Sequence, residues 1–168
     1  NILIIIQRSN GDVLLSQTLI SALYEHYKAP QIDLLVNDDT LSVAQILPNI
    51  NFIHRFSYKK KRENRWKQER SIITSVFRKY DLSINLTASD RSVLYALFAS
   101  KKSISAIEKN NRKSWWKKLL LTHYYTFDKT KHILLNNLEP LNFLKLNFIN
   151  ILEKPIVSEV TIARIKNK

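Results

Sequence analysis

The first residues of the chain constrain its fold more than any other segment. Residues 2–6 read Ile-Leu-Ile-Ile-Ile, and such a short, continuous, mostly β-branched run is typical of a strand covered on both faces in a parallel sheet. The polar segment Ser9-Asn10-Gly11-Asp12 follows, and residues 13–27 then have the apolar spacing of an amphipathic helix. Gly11 is the single glycine of the chain. At a strand-to-helix junction we expect it to form a tight turn that a ligand can approach closely.

Asp12 is the side chain at this junction with the clearest chemical potential. Ligands of open α/β sheets bind at the carboxyl ends of the strands, and a carboxylate there can act as a general base. The helix N-terminus stabilises the charged carboxylate, so catalysis by Asp12 would depend largely on positioning. Acidic residues are also favoured in the first turn of any helix, because they offset its dipole. The sequence alone leaves the structural and the catalytic interpretation open.

Short apolar segments continue to alternate with helical ones along the chain. Four more strands are predicted, at residues 31–36, 51–56, 82–86 and 103–107. Helices are predicted at residues 40–47, 63–79, 90–99, 115–125 and 129–146, with Trp66 facing the core and an interruption near Pro140. This alternation predicts an α/β fold in which helices flank a Rossmann-like parallel sheet.

The net charge of +13 is concentrated in two segments. Residues 59–79 contain nine basic and two acidic side chains, and residues 101–118 contain seven basic and one acidic. Outside these segments the two signs balance. A localised excess is typical of an anion-binding surface, but two solvated lysine-rich stretches would give the same pattern, so both interpretations stay open.

The composition excludes several kinds of site. Without cysteine the chain has no disulfide, no thiolate chemistry and no cysteine-built metal centre. One glycine cannot supply a dinucleotide fingerprint or a P-loop, and a Gly-x-Ser-x-Gly motif is absent. The four histidines have no metal-ligand spacing. No apolar run approaches the length of a membrane span, and we expect a cytoplasmic protein.

Several segments together carry a resemblance to a known family. They are residues 2–6, Arg-Ser-Asn-Gly-Asp-Val-Leu at 8–14, Ile-Asp-Leu-Leu-Val-Asn at 32–37, Leu-Pro-Asn-Ile at 47–50, the basic residues 58–65, Tyr-Asp-Leu-Ser-Ile-Asn-Leu at 80–86, and Arg91-Ser92 with Ala96. To about residue 150 this pattern resembles the N-terminal half of bacterial lipopolysaccharide heptosyltransferases. These are ADP-heptose-dependent glycosyltransferases of GT-B fold, so the resemblance implies that the chain is one half of such a fold.

The resemblance also implies a site. Residues 1–150 would form a Rossmann-like acceptor-binding domain in which Asp12 is the catalytic general base. The acceptor would be the lipopolysaccharide core or Kdo-lipid A, met peripherally at the inner face of the inner membrane. The acceptor-binding residues implied are Ser9, Asn10, Gly11, Lys59, Lys60, Lys61, Arg62, Arg91, Arg112 and Lys113.

The implied reaction is an inverting transfer from ADP-heptose without a metal or other cofactor. The C-terminal nucleotide-sugar domain of the family is absent from these residues, and residues 151–168 are expected to be a tail or the start of the interdomain linker. A separate donor-binding domain would then be a partner, and the chain alone is expected to be inactive. The alternative is a non-catalytic basic module that binds nucleic acid or an anionic membrane surface; nucleic acid is not expected as a partner of a transferase.

Overall fold

A computed structural model describes residues 1–109 and 115–146. Six strands form one sheet: β1 (Ile2–Ile6), β2 (Ile32–Asn37), β3 (Phe52–Phe56), β4 (Leu82–Asn85), β5 (Ser103–Ile107) and β6 (His123–Thr126). The helices are α1 (Asn10–Leu14), α2 (Gln17–His26), α3 (Leu41–Ala44) with a preceding 3-10 turn (Asp38–Thr40), α4 (Tyr58–Val76), α5 (Asp90–Ala99), α6 (Trp115–Leu120) and α7 (Ile133–Phe143). Within these residues no helix combines the length and the apolar character needed to cross a membrane.

All neighbouring strands of the sheet are parallel, in the order β3-β2-β1-β4-β5-β6. Ile2 of β1 pairs with Ile32 on one side and with Leu82 on the other. The prediction of a Rossmann-like α/β fold is therefore confirmed. The chain builds β2 and β3 to one side of β1 and then crosses to β4 on the other. The carboxyl ends of β1 and β4 thus flank the topological switch point, where such sheets bind ligands.

The core is divided between the two faces of the sheet, because successive side chains of β1 point in opposite directions. Ile2, Ile4 and Ile6 pack with α2 and α7. Leu3 and Ile5 pack with α4 and α5. All five side chains are buried, and each contributes about 2 kcal/mol of transfer free energy. The β1 strand therefore fixes the centre of the molecule and the place where Asp12 follows it.

The start of the first helix differs from the prediction. Ser9 is the extended N-cap of α1, with φ −69° and ψ 165°, so Gly11 lies inside the helix. Gly11 does not have a positive φ, so its backbone conformation does not require a glycine. The prediction of a tight turn at Gly11 is wrong, because the change from extended to helical backbone occurs earlier, at Ser9. The single helix expected at 13–27 is two helices, and Ser16 Oγ donates to Val13 O (2.6 Å) where they separate.

The basic segment that follows β3 is helical from Tyr58, five residues before the predicted start of this helix at residue 63. Ser57 is the N-cap of α4, and the helix is kinked at Asn64 (φ −153°, ψ 87°). After the kink the buried residues are Gln68, Ile72 and Val76, spaced by four. Trp66 lies about 200° around the helix from Gln68 and is 83% exposed. The expectation that Trp66 faces the core is therefore wrong.

The end of the described chain contains a strand that the sequence did not predict. The helix expected at 115–125 ends at Leu120, and β6 then pairs with β5 as the sixth strand. The predicted interruption near Pro140 is also wrong, since α7 continues through this residue. Pro140 is buried, so packing of its ring compensates for the missing backbone donor. The predicted tail at 151–168 lies outside the described residues.

Candidate functional site at the switch point

Side chains tie the carboxyl ends of β1 and β4 together. The backbone N–H of Gln7, one residue beyond β1, donates to Thr87 Oγ1 at 2.9 Å. Arg91, in the first turn of α5, donates from Nε to Gln7 Oε1 at 3.4 Å. These contacts cross the switch point. They place Arg91 beside the segment that leads into α1 and Asp12.

Asp12 is held in position by a neighbouring arginine. Arg8 Nε–H donates to Asp12 Oδ2 at 2.8 Å, and the Asp12 side chain is 18% exposed. The guanidinium of Arg8 also lies 4.3 Å from the ring centroid of Phe127, a cation–π contact that fixes it. Within the described residues no hydrogen bond engages the second carboxylate oxygen, Oδ1. One oxygen is therefore used for orientation and the other can accept a proton.

The residues that precede Asp12 form an open surface around it. Ser9, Asn10 and Gly11 are exposed, and a Cβ added at Gly11 would meet no atom within 4 Å. The Asp12 N–H points to Ser9 Oγ over a long 3.5 Å. The Asp12 carbonyl accepts from Asn137 Nδ2 at 3.4 Å. The first turn of α1 thus brings the predicted residues 9–12 together on a surface that a ligand can reach.

Residues 59–62, here called the basic turn, lie in the first turn of α4. Because α4 follows the carboxyl end of β3, the basic turn is on the same edge of the sheet as Asp12. Arg91 connects the two regions: its guanidinium lies 3.7 Å from the ring centroid of Phe56 and 5.8 Å from that of Tyr58. Within the described part of the chain, no ion pair involves Lys59, Lys60, Lys61 or Arg62. The turn therefore presents uncompensated charge.

Three described cations of the second basic segment lie away from the Asp12 surface. Lys117 is fully buried, and its Nζ contacts Asp90 Oδ1 at 2.7 Å and Glu108 Oε2 at 3.0 Å. Lys101 and Lys102 precede β5 and so lie at the opposite, amino edge of the sheet. Arg112 and Lys113 lie outside the described residues. Three of the cations expected to contribute to a single anion-binding surface, Lys101, Lys102 and Lys117, are therefore not part of the surface near Asp12.

A series of hydrogen-bonded side chains on the α4 face of the sheet was not predicted from the sequence. Tyr80 donates to Asp33 Oδ2 at 2.7 Å, and His54 Nε2 lies 2.8 Å from the Tyr80 hydroxyl. His54 Nδ1 lies 3.2 Å from Ser75 Oγ. Burial lowers the pKa of His54, while burial and the Asp33 hydrogen bond raise that of Tyr80. These groups come from β2, β3, α4 and the loop before β4, so no local pattern could have revealed them.

Among residues 1–109 and 115–146, no cluster of three or more histidine and acidic side chains could hold a metal ion. The polar groups at this edge of the sheet are instead the Asp12 carboxylate, which is paired with Arg8, and the cation Arg91. Such a set can bind an anionic ligand and accept a proton from it.

Comparison with known proteins identifies relatives in both sequence and fold. No family model matches the chain. It is 30% identical to lipopolysaccharide heptosyltransferase 3 of Escherichia coli over 114 residues, or 66% of the chain. It is 31% identical to the protein of that name from strain K12 over 137 residues, or 80% of the chain. The chain spans 34% and 39% of the lengths of these two relatives.

Solved structures give the same picture of the fold. A glycosyl transferase family 9 protein from Veillonella parvula matches 87% of the chain with a TM-score of 0.72 and 19% identity. The E. coli heptosyltransferase WaaC, solved with ADP-2-deoxy-2-fluoro heptose, matches 81% with a TM-score of 0.66 and 13% identity. The chain covers 41% and 45% of those two chains. The chain thus has the fold of one part of a GT-B glycosyltransferase.

Proposed function

We propose that this chain, which is similar in sequence to lipopolysaccharide heptosyltransferase 3 and in fold to family 9 glycosyltransferases, is the acceptor-binding domain of such a transferase. The observation that carries the proposal is the geometry of Asp12. Its carboxylate lies at the switch point, is oriented by Arg8 at 2.8 Å, is 18% exposed, and follows the exposed residues 9–11. A general base for a sugar hydroxyl needs this combination of fixed geometry and access.

In the proposed reaction Asp12 Oδ1 takes the proton of the acceptor hydroxyl as the hydroxyl oxygen bonds to the anomeric carbon of heptose. The bond from that carbon to the ADP phosphate oxygen breaks on the opposite side, and ADP leaves with the bonding electrons. Attack and departure on opposite faces invert the anomeric configuration. The residues of this chain orient the acceptor and accept its proton, and this proposal assigns no step to a metal.

The acceptor is proposed to be the lipopolysaccharide core, with acidic groups such as the carboxylates of Kdo and the phosphates of lipid A. The basic turn and Arg91 lie at the same edge as Asp12 and would bind these groups, while Ser9, Asn10 and Gly11 contact the sugar next to the base. Arg112 and Lys113 remain a sequence-based prediction. Binding to such a lipid places the protein at the inner membrane surface in this proposal.

ADP-heptose, the proposed donor, would bind a second domain outside residues 1–150. A solved structure of WaaC contains ADP-2-deoxy-2-fluoro heptose, and this chain covers 45% of that chain. The resemblance to GT-B heptosyltransferases implies that the nucleotide sugar binds the C-terminal domain. We therefore assign acceptor binding to this chain and donor binding to the other domain, without which this chain would be inactive.

The test is Asp12→Asn in the whole transferase that contains this chain. The amide cannot take the proton, so kcat for heptosyl transfer should fall about 10²- to 10⁴-fold, with the acceptor KM nearly unchanged. Asp81→Asn is the matched control, because Asp81 precedes β4 at the amino edge of the sheet. A variant with Asp12→Asn that keeps full kcat would exclude Asp12 as the base.

One observation favours the alternative function, a non-catalytic module for nucleic acid or an anionic membrane surface. Trp66 is 83% exposed between Arg65 and Lys67, and exposed aromatic side chains among cations stack on bases. Binding to Kdo-bearing lipid A should be compared with binding to a DNA oligonucleotide of equal charge at matched salt. Preference for the glycolipid supports the transferase proposal. Equal or tighter binding to DNA, lost in Trp66→Ala, supports the alternative.

A further inference from the structure

A cleft of about 460 Å³ lies between the edge strand β3 and helix α4. Arg55 contributes from β3, and Lys60, Lys67 and Gln68 contribute from α4. Ser71 also lines it, and Glu63 is its acidic residue. The lining therefore combines three cations with one carboxylate, which gives the cleft a net positive charge.

Gln68 is buried in the lining of this cleft with an unused donor. The residue is 8% exposed, and its Oε1 accepts a hydrogen bond from the Ser57 backbone N–H at 3.0 Å. Because an N–H must face the oxygen, this contact fixes the orientation of the amide. The Nε2 group then has no hydrogen-bond partner among the described residues. A buried donor without a partner costs about 1–3 kcal/mol, and a ligand oxygen that accepted from Nε2 would offset this cost.

The cations of the cleft are likewise uncompensated. In the described ranges Arg55, Lys60 and Lys67 form no ion pair. The kink at Asn64 adds to the positive field. Asn64 Oδ1 accepts from the Lys67 N–H at 3.0 Å, as an N-cap does, and the second part of α4 starts there. A helix N-terminus carries partial positive charge and favours anions.

We propose that this cleft binds a phosphate group, with Gln68 Nε2 donating to one oxygen and Arg55, Lys60 and Lys67 neutralising its charge. Phosphate offers several acceptor oxygens and up to two negative charges, which match one neutral donor and three cations. The source is a sugar-borne phosphate of the acceptor or a free phosphate. The first source rests on the proposed function, whereas phosphate binding itself does not.

Direct binding to the whole protein tests the site by ¹⁵N NMR, with inorganic phosphate, N-acetylglucosamine 1-phosphate and neutral N-acetylglucosamine as probes. We expect saturable shifts of the Gln68 side-chain amide with both phosphates and none with N-acetylglucosamine. Tighter binding of the sugar phosphate assigns the site to the acceptor, and equal binding assigns it to free phosphate. An unmoved Gln68 amide, or N-acetylglucosamine binding as tightly as its phosphate, overturns the proposal.

The decisive variant is Gln68→Glu. It keeps the oxygen that accepts from Ser57 but replaces the donor with a carboxylate oxygen, so phosphate affinity should fall at least about tenfold. Gln31→Glu is the matched control, because Gln31 is exposed at the amino edge and makes the same charge change. The affinity of the Gln31→Glu variant for phosphate should stay within about twofold of that of the parent protein.

A second variant covers the case in which Gln68→Glu does not fold. Lys67 is exposed, so Lys67→Gln should leave the fold intact and weaken phosphate binding about three- to tenfold. Lys101→Gln, at the amino edge, is its control. If Lys67→Gln binds as its control does, the site is excluded. No transfer is measured here, so failure of the transferase proposal would leave this result unaffected.

Discussion

The two basic segments look alike in the sequence, yet the basic turn and Lys117 of the second segment have opposite environments in the fold. In the basic turn the side chains of Lys59, Lys60 and Arg62 are exposed, and no ion pair neutralises them in the described part of the chain. Lys117, from the second segment, is fully buried between two carboxylates. Charge counting locates cations, but burial and pairing decide whether a ligand can use them.

The two regions also differ in what their charges do to stability. Lys117 stabilises the fold only because Asp90 and Glu108 face it, since a buried charge is expensive without partners. The basic turn places four cations in the first turn of α4, at the positive end of the helix dipole. Cations there are unfavourable by about 0.3–1 kcal/mol each at low salt. A fold that retains such a cost points to a ligand that uses these side chains.

Removal of both carboxylates around Lys117 should have the largest effect. Asp90→Asn with Glu108→Gln leaves a buried ammonium without a counter-charge, and the free energy of unfolding should fall by about 3 kcal/mol. Lys117→Met should cost far less, because Asp90 and Glu108 are 66% and 43% exposed and return to water. Urea denaturation followed by circular dichroism measures both. Equal losses in the two variants would contradict this account of the pair.

Neutralisation of the basic turn should act in the other direction. With Lys59, Lys60, Lys61 and Arg62 all changed to Gln, the free energy of unfolding should rise by about 1 kcal/mol at low salt, since the clash with the helix dipole is relieved. The salt slope of log K for duplex DNA, used as a generic polyanion, should become shallower by about 3 to 4.

Lys117→Met is the matched control for that slope, because its buried ammonium cannot reach a polyanion. Its slope should equal that of the parent protein. A basic-turn variant that kept the parent slope would show that these exposed cations do not meet the ligand. If Lys117→Met reduced the salt slope more than the basic-turn variant did, Lys117 rather than the basic turn would contact the polyanion.

Much of the fold follows from local pattern. The run at residues 2–6 and the segment at 103–107 predict β1 and β5 with the bounds that the structure has. Strand β6 was missed because the helical pattern that starts at Trp115 continues through its residues in the sequence. Trp66 was misplaced because it lies in line with Ile73 and Phe77 on the helix, whereas the buried stripe of α4 also includes the polar residue Gln68. Both errors concern how a segment packs, which depends on partners that are distant along the chain.

The site was predictable to a similar extent. One helical turn carries Ser9 to Asp12, so their proximity follows from sequence spacing alone. Contacts between elements do not: the Arg91–Gln7 bond joins residues 84 positions apart, and Gln68 meets Ser57 across a helix kink. The sequence therefore located the carboxylate, while only the fold could show what orients it and that the Gln68 donor in the α4 cleft lacks a partner among the described residues.

Gly11 provides the smallest test and separates folding from function at the site itself. The sequence suggested that a turn requires this glycine, but the residue lies in a helix where an added Cβ meets no atom within 4 Å. Gly11→Ala should therefore raise the free energy of unfolding by about 0.5–1 kcal/mol, measured by urea denaturation. Heptosyl transfer by the whole enzyme should fall, since the methyl group occupies the surface beside Asp12 that is proposed for the acceptor. Lower stability would mean that the fold needs glycine here after all, and higher stability with unchanged transfer would remove Gly11 from the acceptor site.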